Sequence, residues 1–429
     1  MPDAIVIGAG LAGCEAAWQL ASAGIDVTLY EMKPAHMSPA HHSPLFAELV
    51  CSNSLKATRM DSASGVLKRE MKTLGSLILA CAEETSVPAG GALAVDRQAF
   101  SALVTERIRN HPQISVVHQQ IAEIPQGATV IVATGPLTQG ALAEDIAKRT
   151  GQPLSFFDAA APVVSLESID MSRAFFAGRY DQPKDYINCT LNKEEYEAFY
   201  AALIQAEKAD IHDFDGTHFE GCMPIEALAA RGFRTPLFGP MSPKGLTDPA
   251  TGRWPYAAVQ LRRENKEGTM WNLVGFQTNL KFGEQKRVFG LIPALAHAEF
   301  LRYGVMHRNT YLPPDTLDEQ LRLKNDRSIR FAGQITGVEG YMESAAMGIA
   351  AGLFAACEMR GKRAPQWDNQ TAMGALLDYI SHYAGKDFQP MNINFGLMAP
   401  LQTPIRNKAQ RHEAISIRAE QAFLKQIAD

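Results

Sequence analysis

Apolar positions open the chain as a continuous run, Ala4 to Ile7, give way to a glycine-rich turn, and resume at helical spacing through Leu20. Gly24 closes that helix, and Asp26 to Glu31 reads as a second strand, so the start predicts a β-α-β unit. The stretch KPAHMSPAHHSPLF that follows mixes Pro, His, Ser and Ala without period and predicts surface loop. Helical spacing returns from Gly65 to Glu84, the breaker Pro88 to Gly91 interrupts it, and a further helix is expected from Asp96, whose side chain can cap it. Strand patterns recur at Ile114 to His118 and at Ala128 to Ala133. Beyond Gly151 the texture changes to short strand-like runs, proline pairs and helices such as Lys193 to Ala209. Near Ser328 to Ala332 a strand leads into FAGQITGVEGYMESAAMGIAAG, which repeats the layout of strand, glycine turn and helix. The expected fold is α/β: a discontinuous dinucleotide-binding domain, residues 1–150 and 326–429, with an α+β substrate domain inserted at 151–325.

Gly8-Ala9-Gly10-Leu11-Ala12-Gly13 fits G-x-G-x-x-G between strand and helix, with Glu31 ending the next strand. Gly8 permits the tight turn, Gly10 lets a pyrophosphate approach the backbone, and Gly13 allows close packing. The helix N-terminus supplies N–H groups and the positive end of a dipole, and Glu31 suits a ribose. NAD, FAD or S-adenosylmethionine fits this element. A flavin must be held at both ends, so the late segment from Gly333 and Gln334 to Glu343, with a helix starting near Glu343, favours FAD over the plain reading of a packed turn.

The 429 residues carry 46% apolar and 20% charged positions, which excludes disorder, and no repeat or heptad is present. The apolar stretch Ser344 to Cys357 is too short to span a bilayer, and the first residues lack a secretion signal, so a cytoplasmic protein is expected. Six scattered cysteines without a C-x-x-C pair predict thiols, with neither a disulfide scaffold nor a metal site. His36, His41 and His42 read as exposed rather than ligating. A net charge of -5 gives no overall polyanion signal. Basic residues are concentrated locally, five against two acids in Lys56 to Lys72, seven against three in Arg253 to Arg287 and five against two in Arg406 to Lys425. Each run is either a solvated face or a phosphate contact.

Cys14, Cys81, Cys189 and Cys357 read as small buried hydrophobes. Cys51 lies in LVCSNSLK, where Ser52, Asn53 and Ser54 are potential N-caps and Lys56 is near; Cys222 lies in EGCMPIE, where Pro224 suits a first helical turn. Both are expected beside a helix N-terminus, a setting that favours thiolate.

VIGAGLAGCEAAWQLA with LYEMKP, ELVCSNSLK, FEGCMPIE, FAGQITGVEGYMESAAMG and MNINFGL together resemble the folate- and FAD-dependent tRNA (uracil-5-)-methyltransferases of the TrmFO type over most of the chain. The resemblance implies methylation of C5 of uridine 54 in the tRNA T-loop, with carbon from 5,10-methylenetetrahydrofolate and electrons from NAD(P)H through FAD. It implies a thiolate adding to uracil C6, so that C5 becomes nucleophilic, and flavin N5 as carrier of the methylene. By the same resemblance Cys222 attacks C6 and Cys51 assists by removing the C5 proton, an order that local residues leave open. Gly8, Ala9, Gly10, Leu11, Ala12, Gly13 and Glu31 are then expected at the adenosine and pyrophosphate. Gly333, Gln334, Gly340, Tyr341 and Met342 are expected near the flavin ring, with Tyr341 either covering it or packed as a core aromatic. Three alternatives remain: a wobble-uridine modifier of the MnmG type, which length disfavours, a flavin-dependent tRNA-binding protein without turnover, which leaves the paired thiols unexplained, and a two-domain FAD oxidoreductase acting on a small molecule, whose NAD(P)H oxidation would be indifferent to tRNA and folate.

Overall fold

The computed structural model describes residues 3–38, 40–151, 156–159, 161–209, 223–263, 268, 270–304, 306–313, 316–383, 388, 390–403 and 405–428. The first part of the chain runs β1 (Ala4–Ile7), α1 (Leu11–Ser22), β2 (Val27–Glu31), β3 (Ser54–Ala57), α2 (Ala63–Thr73), α3 (Leu77–Glu84), β4 (Ser86–Val87), β5 (Ala92–Val95), α4 (Arg97–Arg109), β6 (Ile114–His118), β7 (Thr129–Val132) and α5 (Gly140–Thr150). The middle holds β8 (Phe156–Ala159), β9 (Val163–Ser165), β10 (Ala174–Phe176), β11 (Tyr186–Leu191), α6 (Lys193–Gln205), α7 (Ile225–Ala230), β12 (Ala257–Arg263), β13 (Met270–Leu273), α8 (Phe282–Phe289), β14 (Phe300–Arg302) and β15 (Met306–Asn309). The last part adds β16 (Arg322–Leu323), β17 (Asp326–Phe331), α9 (Tyr341–Met359), α10 (Ala372–Ser381) and α11 (Lys408–Ala428).

Two six-stranded sheets organise the chain. One has the order β16-β17-β7-β1-β2-β6, parallel except for the β16–β17 hairpin. Every residue of β1 is buried, as a central strand covered on both faces requires. β2 and β7 flank β1, so the chain reverses direction across the sheet at its carboxyl end, where open α/β sheets hold ligands. This is a Rossmann-type, FAD-binding fold of the glutathione-reductase kind, discontinuous in sequence, because β17 completes its sheet after an α+β insertion. The inserted sheet, β10-β11-β12-β13-β9-β14, is antiparallel. Tyr196, Phe199, Ile225, Val288 and Phe289 from α6, α7 and α8 fill the core beside it. Leu312, Leu317, Leu321 and Leu323 already belong to the core around the parallel sheet.

Local chemistry sets several boundaries. Asp96 caps α4 through the Ala99 N–H at 3.0 Å, and Asn192 with Glu195 forms a capping box on α6. The helix expected from Gly65 to Glu84 is instead two. Gly75 turns at a φ of 73°, Ser76 restarts the chain by accepting from Leu79 N, and the buried Glu15 carboxylate accepts from Leu77 and Ile78 N–H groups. The loop expected at the surface is partly inside. Lys33, Ser38, Ala40 and Phe46 are buried, and the Lys33 ammonium donates to Leu45 O at 2.5 Å and lies 3.6 Å from Glu48. No helix among the described residues is long and apolar enough to cross a membrane.

Candidate active site

The glycine loop joins β1 to α1. Gly8 has a φ of +99°, and a Cβ there would lie 2.7 Å from the Ala133 carbonyl oxygen. A Cβ on Gly13 would lie 1.7 Å from Gly8 O, so both glycines are dictated by backbone proximity. Gly10 differs: a Cβ would meet nothing within 4 Å. It is the N-cap of α1, without a side-chain cap, so the helix presents its first N–H groups to an open cradle that fits a pyrophosphate. Glu31, buried at the end of β2, accepts from Ala9 N at 2.7 Å and Lys33 N at 2.9 Å. A carboxylate has about four lone-pair positions, which leaves acceptor capacity for a ribose. Leu11 and Ala12 are buried in the first turn of α1.

The returning segment lies directly on this loop. Gly333 has a φ of +85°, and a Cβ there would approach Ala12 Cβ to 2.8 Å. α9 packs along α1 with no room for side chains between them, since Cβ atoms on Gly348 and Gly352 would lie 2.3 Å from Ala12 O and 2.7 Å from Ala16 O. Gly340, at a φ of +115°, is the N-cap of α9 and again offers no side-chain cap. Two uncapped helix N-termini, Leu11 and Tyr341, thus belong to one packed pair. Gln334 donates to Glu339 at 2.7 Å, and Met342 is buried in the core. The helix begins at Tyr341, two residues before the expected Glu343.

Tyr341 is half-buried, and its hydroxyl accepts the backbone N–H of Cys51 at 2.8 Å and of Ser52 at 3.3 Å. Burial, then the neighbouring Cys51, pushes the phenol well above its usual range, so it stays protonated. The expectation of a helix N-terminus at Cys51 is corrected. Ser54–Ala57 is a strand paired with β5, and no helix follows Cys51 directly. The hydroxyls read as helix caps make short-range bonds instead, Ser54 N to Ser52 Oγ at 3.0 Å and Lys56 N to Ser54 Oγ at 3.2 Å.

Arginines supply the positive surroundings. Arg302 donates to Cys51 O at 3.3 Å, Arg97 to Leu49 O at 2.6 Å, and Arg262 to Ser52 Oγ at 2.5 Å and Asn53 Oδ1 at 3.2 Å. Sequence reading had no means of finding Arg97 or Arg302, because their partners are main-chain carbonyls distant in sequence. Lys56 pairs with the fully buried Glu343 at 2.8 Å rather than serving Cys51. Glu343 Oε2 has no hydrogen-bond partner among the described residues.

Cys222 lies outside the described residues. Pro224, expected inside a first helical turn, is the N-cap of α7, which starts at Ile225. Buried Glu226 fixes that helix by accepting from Asn279 N at 2.7 Å and Thr278 Oγ1 at 2.8 Å. Of the remaining thiols, Cys14, Cys81 and Cys189 are buried as expected, whereas Cys357 is half-buried. Burial pushes Cys14 and Cys189 well up, Cys81 to about 11, and Cys357 upward. His36 and His42 are exposed, while His41 is half-buried against Ser38 Oγ at 2.5 Å. No group of three or more potential metal-ligating His, Cys, Asp or Glu residues occurs among the described residues.

Residues 3–363 match the family described as Glucose inhibited division protein A. The chain is 56% identical over 418 residues to the methylenetetrahydrofolate–tRNA-(uracil-5-)-methyltransferase TrmFO of Acetivibrio thermocellus, covering 96% of each. It is 52% identical over 428 residues to the TrmFO of Listeria monocytogenes serotype 4b, covering 99% of this chain and 98% of that one. Among solved structures, Aquifex aeolicus GidA in its form II crystal superposes with a TM-score of 0.71 at 16% identity, covering 99% of this chain and 73% of that one, a likeness of fold.

Proposed function

Since this chain belongs to the TrmFO-type methylenetetrahydrofolate–tRNA-(uracil-5-)-methyltransferases, within the wider GidA family, we propose that it methylates C5 of uridine 54 in the T-loop of tRNA. The carbon comes from 5,10-methylenetetrahydrofolate. Bound FAD, reduced by NAD(P)H, supplies one-carbon transfer and the electrons that convert methylene to methyl. Residues 1–150 and 326–429 hold the cofactor, and 151–325 hold the RNA.

The chain's own residues divide the work. The first-turn N–H groups of α1, Leu11, Ala12 and Gly13 after the Gly10 N-cap, would bind the pyrophosphate, Gly8 and Ala9 shape the turn that admits it, and Glu31 would bind the ribose. Gly333, Gln334, Gly340, Tyr341 and Met342 border the ring end, where the dipole of α9 favours negative charge. Cys222 adds as thiolate to C6 of the uracil, which makes C5 nucleophilic, and Cys51 takes the C5 proton. The opposite assignment of the two thiols fits the same chemistry. A stacked base cannot reach either thiol, so the uridine is flipped into the cleft between the two sheets.

The observation that carries this reading is the bond from Cys51 N–H to the Tyr341 hydroxyl, which ties a thiol-bearing segment to the first residue of the helix beside the cofactor cradle. The test is incubation with an unmodified tRNA transcript, methylenetetrahydrofolate and NAD(P)H, followed by nucleoside analysis, with Cys51→Ala and Cys222→Ala in parallel. The reading expects 5-methyluridine from the wild type and none from either variant. An aminomethyl product at a wobble uridine, or full activity in both variants, overturns it.

A further inference from the structure

The inserted sheet carries a surface feature that methyl transfer does not use. Tyr180, Phe238 and Trp254 are 69%, 73% and 56% exposed, unusual for rings that ordinarily bury most of their area. They belong to one loop system. Tyr180 N donates to Gly245 O at 3.0 Å, and its ring packs so closely over Gly245 that a Cβ there would come within 2.9 Å. Tyr180 is held at a φ of 55° and ψ of 49°, a left-handed conformation uncommon for a bulky residue. Its neighbour Arg179 anchors the turn, donating to Lys244 O at 2.7 Å and Gln260 Oε1 at 2.8 Å. The Lys244 ammonium sits 5.5 Å from the centre of the Phe238 ring. Asp248 N donates to Arg253 O at 2.9 Å, closing the hairpin that presents Trp254.

Charge identifies the kind of partner. Between Arg231 and Tyr256 the sequence has four bases, Arg231, Arg234, Lys244 and Arg253, and one acid, Asp248. All four bases are exposed, whereas the Asp248 carboxylate accepts from Ala250 N at 2.8 Å within its own turn. Exposed aromatic faces among cations are what single-stranded nucleic acid requires, one for the base and the other for the phosphate. The centre of a protein–protein interface is instead depleted in lysine. β12 also relates this ledge to the catalytic region. The strand leaves the loop system at Ala257 and reaches Arg262, which holds Ser52 and Asn53 beside Cys51. At roughly 3.3 Å per residue the five strand steps from Ala257 to Arg262 alone span about 17 Å.

We propose that Tyr180, Phe238 and Trp254, with Lys244 and Arg253, form a second RNA-contact ledge on which unpaired nucleotides of the tRNA stack, remote from the uridine being methylated. This rests on the tRNA reading above.

The experiment compares wild type with Tyr180→Ala, Phe238→Ala, Trp254→Ala and Trp254→Phe, using full-length tRNA transcript and an isolated T-loop hairpin too short to reach the ledge. Methylation kinetics are read beside direct filter binding. Loss of one stacked base is expected to weaken full-length tRNA binding and raise its KM by about tenfold. The expected kcat, hairpin KM and RNA-free flavin reduction by NAD(P)H are unchanged, and Trp254→Phe retains most of the affinity. Lys244→Gln should reduce the salt slope of binding by about one. Unchanged tRNA affinity in all three alanine variants overturns the proposal. So does an equal loss with the hairpin, or a change only in oligomeric state by light scattering, which would make a second copy the occupant. A wild type that binds tRNA through these residues without forming 5-methyluridine would instead remove the methyltransfer reading and leave the ledge standing.

Discussion

The hydroxyl of Tyr341, the first residue of α9, accepts the main-chain N–H of Cys51 at 2.8 Å, across 290 residues of sequence. The contact joins the helix packed against the glycine loop to a segment that also bonds to Arg262 and Arg302 on the inserted sheet. Neither sheet alone fixes the thiol.

Tyr341→Phe removes that acceptor while keeping the ring. A partly buried N–H left without its partner costs about 1–3 kcal/mol. Methylation is expected to fall at least tenfold with FAD content unchanged, and Cys51 should be alkylated at an altered rate. Wild-type turnover and alkylation together would show that the bond does not position the thiol.

The glycines of the loop should separate folding from cofactor retention. Gly13→Ala places a Cβ against Gly8 O and is expected to yield little folded protein. Gly10→Val extends into open space, so circular dichroism and the apoprotein melting temperature should stay near wild type while absorbance of retained flavin drops. Full flavin content in Gly10→Val would place the pyrophosphate elsewhere.

Two buried carboxylates make stability pH-dependent. Burial raises Glu70 from 4.5 to about 8 and Glu15 from 4.5 to about 7, although Glu70 accepts from Ala372 and Met373 N–H groups at the start of α10. A carboxyl with a raised pKa binds its proton more tightly in the folded state. Its stabilising contribution is complete below about pH 4.5 and is lost as pH rises toward 7 and 8. Glu70→Gln should flatten the decline in melting temperature over that window. An identical pH profile in the variant would exclude Glu70 as its source.

Arg262→Ala cuts the link between β12 and the residues following Cys51. Misplacement of a reacting group by about 1 Å can cost a hundredfold, so kcat is expected to fall between about tenfold and a hundredfold. Flavin reduction by NAD(P)H should be unaffected, and amide exchange at residues 51–54 should accelerate. Unaltered exchange would mean that other bonds hold the segment.

What the sequence discloses follows from the range of the interactions. Gly13 against Gly8, Glu31 against Ala9 and the Asp96 cap are legible because their partners are a few residues or one β-α-β unit away. A strand at Ser54–Ala57 replaces the expected helix start because serines that cap helices also close local turns, and pairing with Ala92–Val95 decides between them. The division of α2 from α3 depended on Glu15, a carboxylate 62 positions before Leu77. The three arginines around Cys51 have no local signature, since Arg97 reaches back 48 positions to Leu49 O and the other two meet their partners only once the inserted sheet is built.

The placement of β17 beside β7 bears on synthesis. Thr129–Val132 leaves the ribosome with one edge unpaired, and its neighbour, Asp326–Phe331, is translated only after the whole second sheet. At usual elongation rates of roughly 5–20 residues per second the delay is about 10–40 s. For that time the parallel edge of the nascent sheet stays open, and slower codons within the second sheet would lengthen its exposure.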